Sequence, residues 1–397
     1  MGNEDKSPDI PRYSPTKFVS RMEEIAWVKS QVQELLDDQE SEARVIEFWG
    51  PRGSGKSWLL QHLTSERHQP SDELPGETGR ELDFDERVHS LYLDLNHFVE
   101  PDQSTDSSVQ ELVRATSRFL AEWSDRLPPV GNGVDATLTV QSDRLVIGVR
   151  VLVQSDVLVL LLDHVSEQPA QFLGSLESRV LGPLARLPRV LLVMSKRGKG
   201  YPWREGGLRW NVHDRDLVFF DIDATRQQLE RLELDISDPS EIWQRSRGCP
   251  LTNYFLSRED GLQQAVSALL VDVPLLEREL METLCILRFL KEDHLPPMQA
   301  AYHDDPQLCY QEEDQAQGQL DRLVALGLSR WDREIDSFVL DQAIRPLLEA
   351  WLIESNREQW RRLQCEAYAL YIDWLVRDPH SARRWIDDAA YQRKKLL

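Results

Sequence analysis

Four short apolar runs punctuate the first half of the chain: Val45-Ile46-Glu47-Phe48-Trp49, Val88 to Leu95, Val157 to Leu162 and Val190 to Ser195. Each is bounded by turn-forming or charged residues and is dominated by aliphatic and aromatic side chains, as in buried strands. Between them the period changes from two to about 3.6. Ile25, Val28, Val32 and Leu35 share one face of a helix from Phe18 to about Leu36. Val109, Leu112, Ala115, Phe119 and Leu120 do the same for Ser107 to Leu127, and Gln168 to Leu187 reads as another helix. Strands alternating with helices predict an α/β fold, a parallel sheet with helices on both faces, closed by a last strand at Asp216 to Asp221. Gly131-Asn132-Gly133 and the β-branched stretch Thr137 to Val153 predict a hairpin inserted before the third strand. Ser65 to Glu86, acidic and carrying Pro70, Pro75 and Gly76, reads as a long surface insertion, and residues 1–16 as a flexible arm.

After Asp223 the pattern is almost wholly helical. Gly248-Cys249-Pro250 interrupts it, and Gly327 to Leu340 has the look of a small β-wing. These shifts predict an α/β domain over 17–222, a helical lid over 223–272, a winged-helix domain over 273–355 and a C-terminal helical region over 356–397.

Composition narrows the function classes. With 41% hydrophobic and 29% charged residues the chain is expected to be globular, and it holds no apolar run of about 18 residues, so no membrane span is expected. The net charge of −22, from 68 acidic against 46 basic residues, disfavours nucleic acid as a partner. The polar start and four scattered cysteines without metal-type spacing predict a cytoplasmic protein with reduced thiols.

The chemistry concentrates where the first strand gives way to a helix. Gly50, Pro51, Arg52, Gly53, Ser54, Gly55, Lys56 and Ser57 match G-x-x-x-x-G-K-[ST], followed by Trp58 at the start of the helical run. Glycines let the backbone N–H groups converge on an anion, Lys56 reaches the outer phosphates, and the Ser57 hydroxyl is placed to ligate Mg²⁺. The pattern predicts a bound nucleoside triphosphate, ATP or ADP with Mg²⁺. Asp163, ending the third apolar run, fits the acid that holds Mg²⁺ through water, or else it caps the turn that follows. His164 stands where many hydrolysing proteins carry a second acid to orient water; it is either a weaker base or a packing residue. Ser195 and Arg197, after the fourth run, are either a γ-phosphate sensor or a solvated turn. Arg21 reaches a nucleotide only if the N-terminal helix folds over the site.

In their order these pieces resemble the STAND class of signal-transduction ATPases, the AAA+ relatives that include NACHT and NB-ARC modules. Phe18-Val19-Ser20-Arg21-Met22-Glu23-Glu24 resembles the opening motif F-x-G-R-E-x-E of that class, with Ser20 for glycine and Met22 for the first glutamate. Gly50 to Ser57 and Leu160-Leu161-Leu162-Asp163 resemble its two Walker motifs, and Ser195-Lys196-Arg197 its sensor arginine. Gly248-Cys249-Pro250-Leu251 is similar to the G-x-P signature of the lid, which implies that Pro250 packs on the nucleotide. Val339-Leu340-Asp341 falls at the M-H-D element, with Leu340 for the histidine that contacts diphosphate. The resemblance implies a switch held closed by ADP and driven by ATP toward self-association or recruitment of a separate effector or sensor, with slow hydrolysis. The alternatives are an AAA+ motor or loader and a non-hydrolysing, nucleotide-stabilised scaffold.

Overall fold

A computed structural model describes residues 10–38, 44–64, 86–100, 103–123, 137–197, 201–210, 212–234, 238–258, 261–305, 313–377 and 382–396. The start of the arm, the acidic insertion at 65–85 and the turn at Gly131-Asn132-Gly133 lie outside those residues. Two compact units emerge, one formed by Tyr13–Gly50 with Gly55–Val218, the other containing Pro51–Ser54 and Phe219–Leu397.

The first unit is the α/β unit. Its strands are β1 (Val45–Trp49), β2 (Val88–Asp94), β3 (Val157–Asp163), β4 (Val190–Lys196) and β5 (Val212–Asp216), all parallel in the order β2-β3-β4-β1-β5. The alternation of the central strands assigns their two faces. Val157, Val159, Leu161, Leu191, Val193, Ile46 and Phe48 pack against α1 (Met22–Leu36) and α2 (Lys56–His62). Leu158, Leu160, Leu162, Leu192 and Met194 turn the other way, toward α3 (Thr105–Trp123), α4 (Leu138–Leu152), α5 (Ala170–Leu176) and α6 (Gly182–Ala185). Every residue of β3 and β4 is buried, and each fully buried aliphatic side chain stabilises by about 1.5–3 kcal/mol.

Two expectations are corrected here, and a third gains a detail. Residues 138–152 form α4 and no hairpin: Leu145, Val149 and Leu152 lie one helical turn apart and are buried with Gln141, Ser142 and Gly148, while Val140 and Ile147 are exposed. The last strand is Val212–Asp216 instead of 216–221. It is an edge strand whose residues are all exposed or half-buried, so it needs no apolar run. Leu217 donates one more bond to the Trp49 carbonyl at 2.6 Å, after which Val218 is exposed. The helix expected at 168–187 is present over Ala170–Ala185, with α5 running unbroken through a π-turn at Glu177–Leu181 into α6.

The second unit holds α8 (Ile222–Arg231), α9 (Pro239–Ser246), α10 (Pro250–Leu256), α11 (Gly261–Leu269), α12 (Leu275–Leu284), α13 (Leu295–His303), α14 (Glu313–Ala325), α15 (Ile344–Ser355), α16 (Arg357–Arg377) and α17 (Ala382–Leu396); α7 (Gly206–Arg209) belongs to the first. Within 327–340 lies an antiparallel pair, β6 (Ser329–Asp332) and β7 (Ser337–Leu340), joined to Leu290 through Phe338. One apolar cluster runs from Leu229 and Ile242 through Met281, Leu284 and Phe338 to Trp385. Gly248 is obligatory within it. Its φ is +78°, and a Cβ would lie 1.9 Å from the Phe220 carbonyl oxygen.

Candidate functional site

The same alternation that buries β3 carries its last residue to the site. Asp163 follows Leu161 by two, so it faces α2, and Ser195 follows Val193 onto the same face. Tyr92, on β2, joins them from the neighbouring strand. Asp163 is 1% exposed. Its Oδ1 accepts from the Ser195 hydroxyl and, at 3.0 Å, from the His164 N–H; its Oδ2 accepts from the Tyr92 hydroxyl at 2.8 Å. Ser57 adds a further hydrogen bond to the same carboxylate. Burial works to raise the Asp163 pKa, but the His164 charge and the bonds from Ser195, Ser57 and Tyr92 outweigh it and hold the carboxyl below its ordinary value. The Tyr92 hydroxyl is pushed far upward, by burial first and then by Asp163. Asp163 is therefore a fixed anion and Tyr92 a fixed donor.

Lys56 opens α2 and donates from Nζ to the Gly50 carbonyl at 2.7 Å. Gly55, just before it, has φ +89°, where a side chain would strain the backbone. Trp58 lies edge-on to Tyr13, with centroids 5.7 Å apart. Pro51, Arg52, Gly53 and Ser54 belong with the helical unit. There Ser54 is buried and its N–H bonds the Pro51 carbonyl, Arg52 pairs with Asp272, and the Gly53 carbonyl accepts the Leu251 N–H at 3.3 Å. Gly53 combines φ +79° with crowding, since a Cβ would stand 2.8 Å from Leu251 Cβ. Pro250 is buried at the start of α10 and its carbonyl accepts from Gln228 at 2.9 Å.

The remaining predicted residues separate. His164 has a left-handed backbone, φ 60°, and its imidazole lies 3.4 Å from Glu167, 3.7 Å from Asp163 and 4.0 Å from Asp94. The three residues of Ser195-Lys196-Arg197 go three ways. Ser195 meets Asp163. Lys196 crosses to the opposite face, where it pairs with buried Glu47 and lies 4.9 Å over the Trp203 ring. Arg197 pairs through Nε with Glu167 at 3.1 Å. Arg21 is buried and donates to the Val218 carbonyl at 2.7 Å, with Glu24 at 3.6 Å. Ser20 and Arg21 both have left-handed backbones, φ 64° and 68°.

Tyr92 and Glu167 were missed from the sequence. A tyrosine among the aliphatics of β2, two residues before its end, is the one signal for the former. Nothing in the spacing marks Glu167, which acts through a tertiary contact.

The donor set suits a magnesium-bound triphosphate. One carboxylate and one hydroxyl match a cation that keeps several waters and takes phosphate oxygens, and the described residues form no cluster of three or more His, Cys, Asp or Glu ligands that would make a closed metal cage. A G-x-x-x-x-G-K-S loop between β1 and α2, with a buried acid ending β3 of a parallel sheet, defines a P-loop α/β fold.

No family model matches the chain, and no curated protein matches it. Among solved structures it is similar to chains of AAA+ P-loop ATPases. The Aeropyrum pernix ORC1 protein in complex with DNA is 15% identical, with a TM-score of 0.40, over 87% of this chain and 95% of that one. A Thermotoga maritima RuvB variant is 14% identical, with a TM-score of 0.39, over 83% and 95%. A chain of Drosophila ORC bound to GC-rich DNA and Cdc6 is 13% identical, with a TM-score of 0.28, over 87% and 100%. The expectation that nucleic acid is disfavoured is corrected by these findings, since two of the three were determined bound to DNA. A net charge of −22 averages the whole surface and says nothing of any one patch. No described helix is long and apolar enough to cross a membrane.

Proposed function

We propose that this chain binds ATP and ADP with Mg²⁺ and works as a slowly hydrolysing switch. The observation that supports it most is the buried Asp163 carboxylate, held ionised by Ser57, Ser195 and Tyr92 on the face of the sheet that carries α2. Lys56 would exchange its bond to the Gly50 carbonyl for phosphate oxygens, and Ser57 and Asp163 would hold the cation, Asp163 through water. The bound metal supplies charge neutralisation at the phosphates. His164, fixed beside Asp163 by its backbone N–H, stands where a second acid would orient water; an imidazole hemmed in by carboxylates is a poor substitute, which favours slow turnover. Slow turnover suits a switch, because the ATP state must persist long enough to recruit a partner.

In this reading 17–222 is the nucleotide domain, 223–272 the lid, 273–355 a winged helix and 356–397 a C-terminal helical region. Pro250 and Arg197 would report the nucleotide to the rest of the chain, and self-association or an effector protein would read the ATP form. The states must bind nucleotide unequally, since equal affinity shifts nothing. The test is calorimetry with ATP and ADP on the parent chain and Lys56→Ala. Loss of a charge-assisted phosphate contact predicts at least a tenfold drop in ATP affinity, from about 1.5–3 kcal/mol. Equal affinities in the two proteins would overturn the site. Single-turnover hydrolysis at about 1 s⁻¹ or faster by a monomer, the range of ordinary enzymes, would favour a motor instead.

A further inference from the structure

The hydrogen-bonded ladder between β3 and β4 ends at Leu162 and Met194. Beyond it, side chains take over. Ser195 bonds Asp163 and accepts the His164 N–H at 3.1 Å, and Ser166 Oγ accepts the Arg197 N–H at 2.8 Å. Glu167 then contacts two side chains with one atom: its Oε1 lies 3.1 Å from Arg197 Nε and 3.4 Å from His164 Nδ1. Side-chain exposures of 15% for Arg197, 22% for Glu167 and 28% for His164 place all three away from open solvent, where attraction between charges is stronger than at a free surface. Two groups sharing one oxygen compete for it, so anything that draws one away strengthens the hold on the other.

We infer that Glu167 is a positioning residue that restrains Arg197 through the oxygen it shares with His164, and that it thereby sets how strongly the site prefers a triphosphate to a diphosphate. The inference rests on the nucleotide reading above. A triphosphate carries an additional anionic group, and Arg197 must stretch or give up its Glu167 partner to approach it. Glu167→Gln keeps the shape and a hydrogen-bond acceptor while removing the charge, so it lightens the restraint. His164→Ala leaves the oxygen to Arg197 alone and tightens it. The two substitutions are therefore expected to act in opposite directions.

Binding of ADP and of a non-hydrolysable ATP analogue, each with Mg²⁺, is measured by calorimetry on the full chain. Glu167→Gln is expected to raise the affinity ratio of analogue to ADP roughly three- to fivefold, the size of a pair worth about 1 kcal/mol. His164→Ala is expected to lower the ratio. In an Arg197→Ala background Glu167→Gln is expected to change nothing, because the restrained group is gone. A merely structural role for Glu167 would move both affinities together and persist without Arg197. An unchanged ratio in Glu167→Gln, or a change that survives in Arg197→Ala, overturns the inference while leaving the nucleotide site standing. A ratio that rises in His164→Ala also overturns it, and does so even where Glu167→Gln does not fold. A parent chain that binds neither nucleotide sinks the site and the inference together.

Discussion

Tyr92→Phe removes one oxygen and tests whether Asp163 is held as a fixed anion. The Tyr92 hydroxyl donates to Asp163 at 2.8 Å and accepts from Gln61 at 3.3 Å. Gln61 is half-buried, so losing its acceptor costs little. Asp163 is 1% exposed and keeps Ser195, Ser57 and the His164 N–H. Bonds to charged groups contribute about 1.5–3 kcal/mol, and with three donors remaining the lower end applies, about 1.5–2 kcal/mol. For domains of about 150–250 residues each kcal/mol moves Tm by about 2–4 °C, so a fall of about 3–8 °C is expected at pH 7. The pH dependence follows from the direction of the Asp163 shift. Its folded pKa is depressed, so the stability it contributes is present above the unfolded value of about 3.9 and is lost as pH falls through the folded value. Tyr92→Phe weakens the depression, so the parent's advantage should be level from pH 7 to about 5 and shrink below about pH 4. Urea midpoints at several pH values, without nucleotide, measure this. Equal stability at pH 7, or a gap that widens on acidification, would refute it.

Ser20→Gly should stabilise the chain by about 1 kcal/mol, because φ 64° strains a side chain there; thermal melting would show a rise, and a fall would mean that the serine is worth more than its strain. Cys249 is fully buried, and burial pushes its thiol up to about 11, while burial raises the Cys285 thiol in the same direction. Site-resolved alkylation at pH 8 should label exposed Cys365 at least tenfold faster than either, consistent with thiolate as the nucleophile; comparable rates would contradict the burial.

How much was legible depended on what each residue packs against. β1, β3 and β4 are covered on both faces, so their apolar runs were plain, and the phosphate loop declared itself by glycine spacing and Lys56-Ser57. β5 was misplaced because an edge strand such as Val-His-Asp-Arg-Asp lacks an apolar face, while Leu217-Val218-Phe219-Phe220 beside it mimics a core strand. α4 was mistaken for a hairpin because its β-branched residues suit a strand by propensity, and the helical spacing of Leu145, Val149 and Leu152 overrides that preference through burial. In the site, Asp163 was readable from its place after Leu162. Tyr92 and Glu167 were not, because their roles come from register and from a turn beyond the ladder. Lys196 shows the limit most sharply: it sits between two residues that meet Asp163 and Glu167, yet alternation sends it through the sheet to Glu47 and Trp203.

The π-turn at Glu177–Leu181 has a consequence for how this chain varies over time. It winds one residue more into its turn than an α-helix does. That places the Glu177 carboxylate where it accepts the N–H groups of Arg204 and Glu205, and brings Gly182 so near Glu205 that a Cβ would stand 2.9 Å from its side chain. Deleting one residue of the turn would restore a regular α-helix and leave the residues downstream on the faces they now occupy, because the turn is where the helix has absorbed one residue more. Leu184, fully buried against the sheet, would stay against it. A one-residue deletion elsewhere in the helix would instead rotate everything downstream by about 100°, so a change in length is tolerated here and not beside it. When homologous chains are aligned, a one-residue gap belongs inside 177–181, and chains that carry it should also have lost the carboxylate at 177.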